Sequence, residues 1–304
     1  MVNTTIVVSL YNSRPETLEV IDKLFFPSLL NNITPQTQLI VLDDRSPLQK
    51  ETNELIEKYR SEITAKAGEF KFVSNEQNLG FAGSYTKGMK MADGEVTMVI
   101  NDDTCLPQGS VSSLVGTLKS DSSYGMVGPV TNTAWGFQKT SLFPPLKDYS
   151  PQELERIEQF SLWLKGIMSG RAYEIYDGLI GFCIVSPTLL LRKVDYFDTR
   201  YAYGTFEDLD LFLKVRKEGF KVVVDGGTFV EHGGPNGASI SLDQHQYKKL
   251  RSVFLNGLKF CRKWNRYYWT LSTLGKGSLY GMDYFTITNE IRHRAASVGS
   301  GFVR

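Results

Sequence analysis

The chain has 304 residues, of which 41% are hydrophobic and 22% are charged, and its formal net charge at pH 7 is +1. This length holds one large α/β domain with an extension or two ordinary domains, and the composition is that of a folded globular protein. The balanced charge gives no bulk electrostatic reason to expect binding to nucleic acid, so we expect no nucleic-acid partner.

Cysteine content and hydropathy indicate where the protein works. The three cysteines, Cys105, Cys183 and Cys261, are far apart and odd in number, which predicts free thiols in a reducing compartment. No apolar stretch approaches the ~20 residues of a membrane-spanning helix, and the N-terminus lacks a signal-peptide pattern. We therefore expect a cytoplasmic protein without a transmembrane segment, for which peripheral association with a membrane stays open.

Short apolar strands alternate with helical segments in the first half of the chain. The strands are expected at residues 6–10, 38–42, 70–73 and 96–100, and helical patterns follow from Glu16, from Thr52 and around Tyr85. Pro27 should end or restart the first helix. Strands separated by helices predict βαβ units and a parallel sheet.

Polar side chains follow three of these strands. Asn12 comes after the first, Asp43 and Asp44 after the second, and Asp102 and Asp103 after the fourth. Because parallel strands share one carboxyl edge, we expect these groups to meet where open α/β sheets bind ligands. Adjacent carboxylates favour a hard divalent cation between them, although a solvated turn is the simpler alternative for any one pair.

The second half is less regular. The pattern predicts helices at 107–118, 151–165 and 243–264, strands at 125–130, 221–224 and 228–230, and an apolar segment at 179–186. Residues 131–150 form a long loop of the length that often binds ligands. Glu207, Asp208 and Asp210 fall in the first turn of another helix, where the macrodipole favours acids. The tail beyond Asn265 carries no pattern that we interpret.

An ordered set of motifs across about residues 4–235 resembles family 2 glycosyltransferases. In chain order these are Ser9-Leu10-Tyr11-Asn12, Asp43-Asp44-Arg45-Ser46, Asn78-Leu79-Gly80-Phe81-Ala82, Asn101-Asp102-Asp103-Thr104, Phe206-Glu207-Asp208-Leu209-Asp210-Leu211 and His232. The third and fifth motifs are similar to those of rhamnosyl- and galactosyltransferases of bacterial surface polysaccharide synthesis.

The resemblance implies an α/β GT-A fold, in which helices flank a mostly parallel central sheet. Its nucleotide-binding half is Rossmann-like, and a helical extension follows at the C-terminus. We expect a glycosyltransferase domain over residues 1–240, with a donor-binding half (1–105) and an acceptor-binding half (106–240). Residues 241–304 would form the helical extension or tail.

The resemblance also implies a divalent metal, Mn²⁺ or Mg²⁺, bound through Asp103 and His232. An all-oxygen shell suits Mg²⁺, and an added imidazole favours Mn²⁺. Asp102 would orient ribose or sugar hydroxyls. Asn101, also expected near the donor, stands where many family members have a first aspartate, so this is where the chain departs from the family pattern.

Further donor contacts are expected from the remaining motifs. Asp43 and Asp44 resemble the acids that contact a uracil or thymine ring and ribose, with helix capping by Asp44 as an alternative. Tyr11 would stack on the base or else pack on the core. The full set expected to bind the donor is Ser9, Tyr11, Asn12, Asp43, Asp44, Asn78, Gly80, Asn101 and Asp102.

Asp208 is the expected general base, which takes the proton of the acceptor hydroxyl in an inverting transfer. Glu207 is the alternative base, and helix capping is the alternative role of both acids. Asp210 is expected to be structural. Trp135 would either offer an aromatic platform to the acceptor or pack in the core.

These motifs predict an inverting, metal-assisted hexosyl- or deoxyhexosyltransferase. Its donor is a UDP- or dTDP-sugar, and its acceptor is a hydroxyl of a glycan, a glycolipid or other lipid-linked saccharide, or a protein. Surface polysaccharide or glycoconjugate synthesis is the expected setting. A non-catalytic sugar-nucleotide-binding module and a nucleotidyltransferase are the alternatives. A Rossmann dehydrogenase is excluded because no G-x-G-x-x-G follows the first strand.

Overall fold

An eight-stranded mixed sheet forms the centre of the protein. The structure is a computed structural model and describes residues 2–201, 204–236, 252–264 and 287–297. The strands are β1 (Thr4–Leu10), β2 (Thr37–Asp43), β3 (Glu69–Ser74), β4 (Val96–Ile100), β5 (Thr104–Cys105), β6 (Tyr124–Val130), β7 (Ala172–Glu174), β8 (Cys183–Pro187), β9 (Lys221–Phe229) and β10 (Glu231–His232). The sheet order is β3-β2-β1-β4-β8-β6-β9-β7, and β5 and β10 form a separate two-stranded ribbon.

The first half of the sheet is parallel, as predicted. Strand β1 lies between β2 and β4, with Val7 opposite Ile40 on one side and Val99 on the other. Strand β8 then runs antiparallel to both β4 and β6, while β9 is parallel to β6. Over the whole sheet, four of the seven pairings are parallel. Because β1 is parallel to both β2 and β4, these three strands, which carry the predicted site residues, end at the same edge of the sheet.

Helices cover both faces of the sheet. They are α1 (Pro15–Val20), α2 (Phe26–Leu30), α3 (Gln49–Lys66), α4 (Gly80–Lys90), α5 (Ser110–Ser120), α6 (Pro151–Met168), α7 (Thr188–Lys193), α8 (Glu207–Lys217), α9 (residues 252–264) and α10 (Ile287–Ser297). Pro27 lies in the first turn of α2 and so restarts the helix after a π-helical turn over Ile21–Phe25. Within the described ranges, no helix is long and apolar enough to span a membrane.

The alternation of side chains along each strand builds two apolar layers. Ile6 and Val8 belong to the layer under α3 and α5, whereas Val7 belongs to the layer under α4 and α6. This confirms the predicted α/β class, with a central sheet flanked by helices.

One expectation for the second half of the chain needs correction, and one element of the tail is defined by the structure. The strands predicted at 221–224 and 228–230 are one strand, β9, because Asp225-Gly226-Gly227 forms an irregularity within the strand and not a turn. The tail contributes a structured helix, since Ile287 and Ile291 of α10 are fully buried in the core. Of the helix predicted at 243–264, residues 252–264 are helical, and residues 243–251 lie outside the described residues.

The packing of α4 on the sheet generates a stability prediction. A Cβ added to Gly88 would meet Val7 and lie 2.7 Å from Leu42 Cδ1, whereas one added to Gly116 of α5 has no heavy atom within 4 Å. We expect Gly88→Ala to lower the free energy of unfolding by about 1–2 kcal/mol through overpacking. Gly116→Ala is the matched control and should raise it by about 0.5–1 kcal/mol. Urea denaturation measures both, and equal effects would contradict the close packing.

Candidate functional site

The carboxyl ends of β1, β2 and β4 form one rim. Asp44 N donates to Leu10 O at 2.9 Å, which ties the end of β2 to the end of β1. Asn101, Asp102 and Asp103 follow β4 at the same rim. The predicted convergence of the acidic strand ends is therefore present in the structure.

The ribbon of β5 and β10 brings His232 to this rim. His232 pairs with Thr104, and Gly233 N donates to Asp103 O at 2.9 Å. As a result His232 Nε2 lies 3.4 Å from Asp103 Oδ1. Two residues predicted from separate motifs to bind one metal are thus adjacent.

Three residues outside the predicted set orient the His232 ring. Its Nδ1 lies 2.9 Å from Thr133 O, its backbone N donates to Asn132 Oδ1 at 3.0 Å, and its ring stacks on Phe182 at 4.5 Å and 14°. Because a carbonyl only accepts, Nδ1 carries a proton and Nε2 is the nitrogen that faces Asp103. The only sequence signal for Asn132 and Thr133 was their place in the long loop after β6.

Burial and mutual repulsion dominate the electrostatics of the rim. Burial, reinforced by the neighbouring charge of Asp103, raises the pKa of Asp102 to about 8. Burial alone would raise the pKa of Asp103, but attraction to His232 outweighs it and leaves that pKa below the usual value. For His232, burial lowers the pKa and the Asp103 carboxylate more than restores it, so the net pKa is raised.

Glu231 adds a third buried acid that the sequence analysis did not select. Asn132 Nδ2 donates to its Oε1 at 3.0 Å, while its Oε2 receives no hydrogen bond. Burial raises the pKa of Glu231 to about 7. The rim therefore concentrates more acidic groups than it can ionise together without positive charge.

The donor atoms at Asp103 and His232 fit a divalent cation. Asp103 Oδ1 is buried and receives no hydrogen bond, and it faces Nε2 of His232, the ring nitrogen that could bind a metal once it has lost its proton. Within the described ranges, no group of three or more His, Cys, Asp or Glu side chains could hold a metal. A cation here would take its remaining ligands from a bound molecule or water.

Asp43 and Asp44 differ in the hydrogen bonds that their carboxylate oxygens already accept from the protein. Asp44 Oδ1 accepts from Asn75 Nδ2 and from Leu79 N, both at 2.8 Å, so it fastens the loop before α4. Asp43 Oδ1 accepts from Ser46 N at 3.0 Å, while its buried Oδ2 has no hydrogen-bond partner. Asp43 therefore retains an acceptor for a ligand N–H.

The three predicted residues from the end of β1 also divide by role. Tyr11 is 42% exposed, so its ring is available for stacking and is not core. Ser9 Oγ donates to Ser84 Oγ at 2.7 Å, and the buried Asn12 donates through Nδ2 to Thr52 Oγ1 at 3.0 Å. Those two side chains hold the rim together.

The loop before α4 presents the other predicted donor contacts. Asn78 is exposed and its Oδ1 accepts from Gly80 N at 3.0 Å. Gly80 has φ +69°, a left-handed conformation that favours glycine. Asn101 is half-buried at the end of β4, where Tyr85 Oη lies 3.4 Å from its Oδ1.

The acids of α8 face different surroundings. Asp208 accepts from Leu209 N at 2.7 Å and from Gly181 N at 3.2 Å, and desolvation by burial raises its pKa. Glu207 is 3% exposed, and burial together with the charge of Asp208 raises its pKa well above the usual range. Asp210 is fully buried and accepts from Trp264 Nε1 at 2.7 Å, which makes it a structural group.

Two consecutive residues join α8 to the metal rim. Gly181 donates to Asp208, and Phe182 both stacks on His232 and accepts from Asn101 N at 2.8 Å. A Cβ at Gly181 would lie 3.2 Å from Asp208 Cβ, so glycine permits this approach. The segment thus connects Asp208 to His232 and Asn101 through two consecutive residues.

Trp135 is 85% exposed and therefore not part of the core. The loop that carries it is fixed by the buried Gln138, whose Oε1 accepts from Ile180 N at 2.8 Å. Trp135 thus lies on an anchored loop two residues after Thr133, with its ring accessible from solvent.

Curated relatives of the chain carry no assigned activity. The chain is 26% identical over 197 residues to Rv1525, an uncharacterized protein of Mycobacterium tuberculosis, and the match covers 62% of this chain and 67% of that protein. The same values hold for the uncharacterized protein Mb1552 of Mycobacterium bovis.

Solved structures share the fold at low identity. The chain matches residues 1–349 of S. aureus TarS in complex with UDP-GlcNAc with a TM-score of 0.53 at 16% identity, covering 97% of this chain and 73% of that one. It matches the mannosyltransferase PcManGT from Pyrobaculum calidifontis, in complex with GDP-Man and Mn²⁺, with a TM-score of 0.52 at 15% identity. That match covers 98% of this chain and 76% of the other.

The family assignment rests on the sequence itself. The model of the family described as "Glycosyl transferase family 2" matches residues 5–195, which is more than half of the chain. This stretch runs from β1 through α7 and so includes the acidic ends of β2 and β4. Together with the sheet order and the structural matches, it shows that the chain has the GT-A fold and belongs to glycosyl transferase family 2.

Proposed function

We propose that the protein transfers a sugar from a UDP- or dTDP-sugar to an acceptor hydroxyl, with inversion at the anomeric carbon and assistance from Mn²⁺ or Mg²⁺. The observation that carries the proposal is the Gly181-Phe182 segment, which contacts Asp208 on one side and His232 on the other. It joins a candidate base to a candidate metal site in one cleft.

The donor side of the cleft suits a pyrimidine nucleotide. The unpaired Asp43 Oδ2 is an acceptor for the N3–H of uracil or thymine, and the exposed Tyr11 ring offers a stacking face. Two structural neighbours are complexes with UDP and UDP-GlcNAc, and a third is a complex with GDP-Man and Mn²⁺. These ligands support a nucleotide-sugar donor for this chain.

Asp103 and His232 would hold the metal, and Asp102 would orient donor hydroxyls. A bound Mn²⁺ or Mg²⁺ would neutralise negative charge on the leaving diphosphate. His232 suits Mn²⁺ better, since imidazole is a softer ligand than a carboxylate. In the transfer, the Asp208 carboxylate removes the acceptor's hydroxyl proton. The acceptor oxygen then bonds to the anomeric carbon, and the nucleoside diphosphate leaves with the electrons of the broken bond.

We further propose that the transfer takes place in the cytoplasm and serves the synthesis of surface polysaccharide or another glycoconjugate. The acceptor would be a glycan, a lipid-linked saccharide or a protein, received beside Trp135. The three cysteines, all of them free, suit a reducing compartment.

The first prediction separates the two candidate bases. We expect Asp208→Asn to lower kcat by about 10²–10⁴-fold, because the amide cannot accept the acceptor proton, with donor binding retained. Glu207→Gln should lower kcat far less, since burial raises the pKa of Glu207 well above its usual range and so disfavours the ionised form that a base needs. The kcat is measured from donor hydrolysis, in which water replaces the acceptor. Donor binding is measured by calorimetric titration. Wild-type kcat in Asp208→Asn would sink the assignment, and donor binding without any turnover in the wild type would favour a binding module.

The raised pKa of Asp208 predicts an acidic limb in the pH profile. Only the ionised carboxylate is a base, so kcat should rise with pH through the raised pKa and fall as pH drops below it. The limb should therefore lie above the ordinary range of an aspartate. A kcat profile that is flat down to pH 4, taken in the presence of saturating metal and donor, would contradict a buried base.

The metal site predicts a histidine-specific loss. We expect His232→Ala to weaken Mn²⁺-assisted binding of a UDP-sugar by about 10–100-fold, because one of two protein ligands is removed. His293→Ala is the matched control, since His293 is exposed on α10. Thermal shift with UDP-glucose, with and without Mn²⁺, reports the change through mass action. Equal Mn²⁺ shifts in both variants would argue against His232 as a ligand.

A further inference from the structure

Helix α9 exposes large apolar side chains to solvent, although part of its buried face is polar. Its buried residues, Ser252, Asn256, Phe260 and Trp264, include two that are polar. Its outward residues include Phe254, which is 66% exposed, and Leu258, which is 43% exposed. Large apolar side chains normally face the core of a globular protein, so this exposure calls for a partner.

The helical period places these exposed residues on one continuous stripe. At 100° per residue, Phe254 and Leu258 lie on the face opposite Asn256 and Phe260. Leu255 flanks the stripe and is 42% exposed. An apolar band therefore runs along the solvent side of α9.

The surrounding sequence is strongly basic although the whole chain is nearly neutral. Between residues 244 and 282 the chain has no Asp or Glu. The eight basic residues of this stretch are Lys248, Lys249, Arg251, Lys259, Arg262, Lys263, Arg266 and Lys276. With a net charge of +1 overall, the rest of the chain is net negative. Among the basic residues of α9, Arg262 is exposed beside the apolar stripe. Lys259 Nζ instead donates to Arg200 O at 2.6 Å, and Lys263 forms ion pairs with Asp198 and Asp210.

We propose that α9 docks this protein onto an anionic lipid bilayer, with Phe254 and Leu258 inserted at the headgroup level and the Arg262 guanidinium on lipid phosphates. An apolar stripe beside Lys and Arg is what an interfacial helix requires, and each basic residue near an anionic surface adds attraction. A second copy of the chain would oppose like charges across the same face. The segment that follows α9 is basic as well and lacks a complementary charge.

The docking helix is fastened to the segment that carries the candidate base. Asn256 Nδ2 donates to Thr205 Oγ1 at 2.8 Å, and the Phe260 and Phe206 rings lie 5.3 Å apart. Trp264 Nε1 donates to Asp210. Docking would thus fix the orientation of α8 relative to the lipid surface. On the proposed function, this points to an acceptor carried by a membrane lipid.

The test uses the full chain and vesicles, without any activity measurement. We expect co-sedimentation with vesicles of phosphatidylcholine containing phosphatidylglycerol, and little with phosphatidylcholine alone. Phe254→Ser with Leu258→Ser should weaken binding by about tenfold or more, through lost apolar burial. Arg262→Glu should weaken binding by several-fold, and raised salt should weaken wild-type binding. Leu162→Ser is the matched control, because Leu162 is 68% exposed on α6, and it should leave binding unchanged.

Three results would overturn the proposal. One is absence of binding to the anionic vesicles, and another is equal binding to both kinds of vesicle. The third is a lipid-free dimer that Phe254→Ser with Leu258→Ser converts to a monomer, which would assign the stripe to a second copy. Circular dichroism and thermal unfolding of each variant show that it is folded. Because the readout is vesicle binding, failure here leaves the proposed sugar transfer standing, and failure of transfer leaves the docking result standing.

Discussion

Repulsion among carboxylates at the end of β4 is the constraint on which the site depends. The fold places Asp102, Asp103 and Glu231 within one partly desolvated rim and sets a single imidazole, that of His232, against them. Part of the repulsion is relieved by protonation, as the raised pKa values of Asp102 and Glu231 show. A bound cation would relieve it without protons. On the proposed function, metal and diphosphate binding together would turn this unfavourable electrostatics into a favourable interaction.

Some polar residues of the rim hydrogen-bond to the surrounding scaffold, and others keep an oxygen without a hydrogen-bond donor. Ser9 and Asp44 have their hydrogen bonds satisfied within the scaffold, whereas Asp43 and Asp103 keep a buried oxygen without a donor. Asn12 does both, since its Nδ2 donates to Thr52 while its buried Oδ1 receives no hydrogen bond. Such unpaired acceptors are costly in a folded protein, and they persist where a ligand completes them. Phe206 shows a related strain, since it holds φ 74° immediately before the two acids of α8.

Much of this could be predicted from the sequence because the signals are local. The apolar strands, the polar residues at their ends and the acidic first turn of α8 each occupy a few adjacent positions. The order of those motifs was enough to indicate the family. Asn132, Thr133 and Phe182 were missed because their role exists only through contacts with His232, about 50–100 residues away. The double glycine in β9 resembled a turn, and only the neighbouring strand shows it to be an irregularity. The burial of α10 likewise depends on tertiary packing that no local pattern reports.

The ribbon between β5 and β10 has a consequence for how the protein matures. It pairs Cys105 with Glu231 across 126 positions of sequence, and no turn or short loop helps that closure. The ribbon therefore depends on the sheet contacts that hold its two strands near each other. His232 faces Asp103 only when β9 and the residues after it are in place. A nascent chain, or one shortened before β10, would have the acids at the end of β4 but not the imidazole. On the proposed function, metal affinity would distinguish chains that include β10 from chains that lack it.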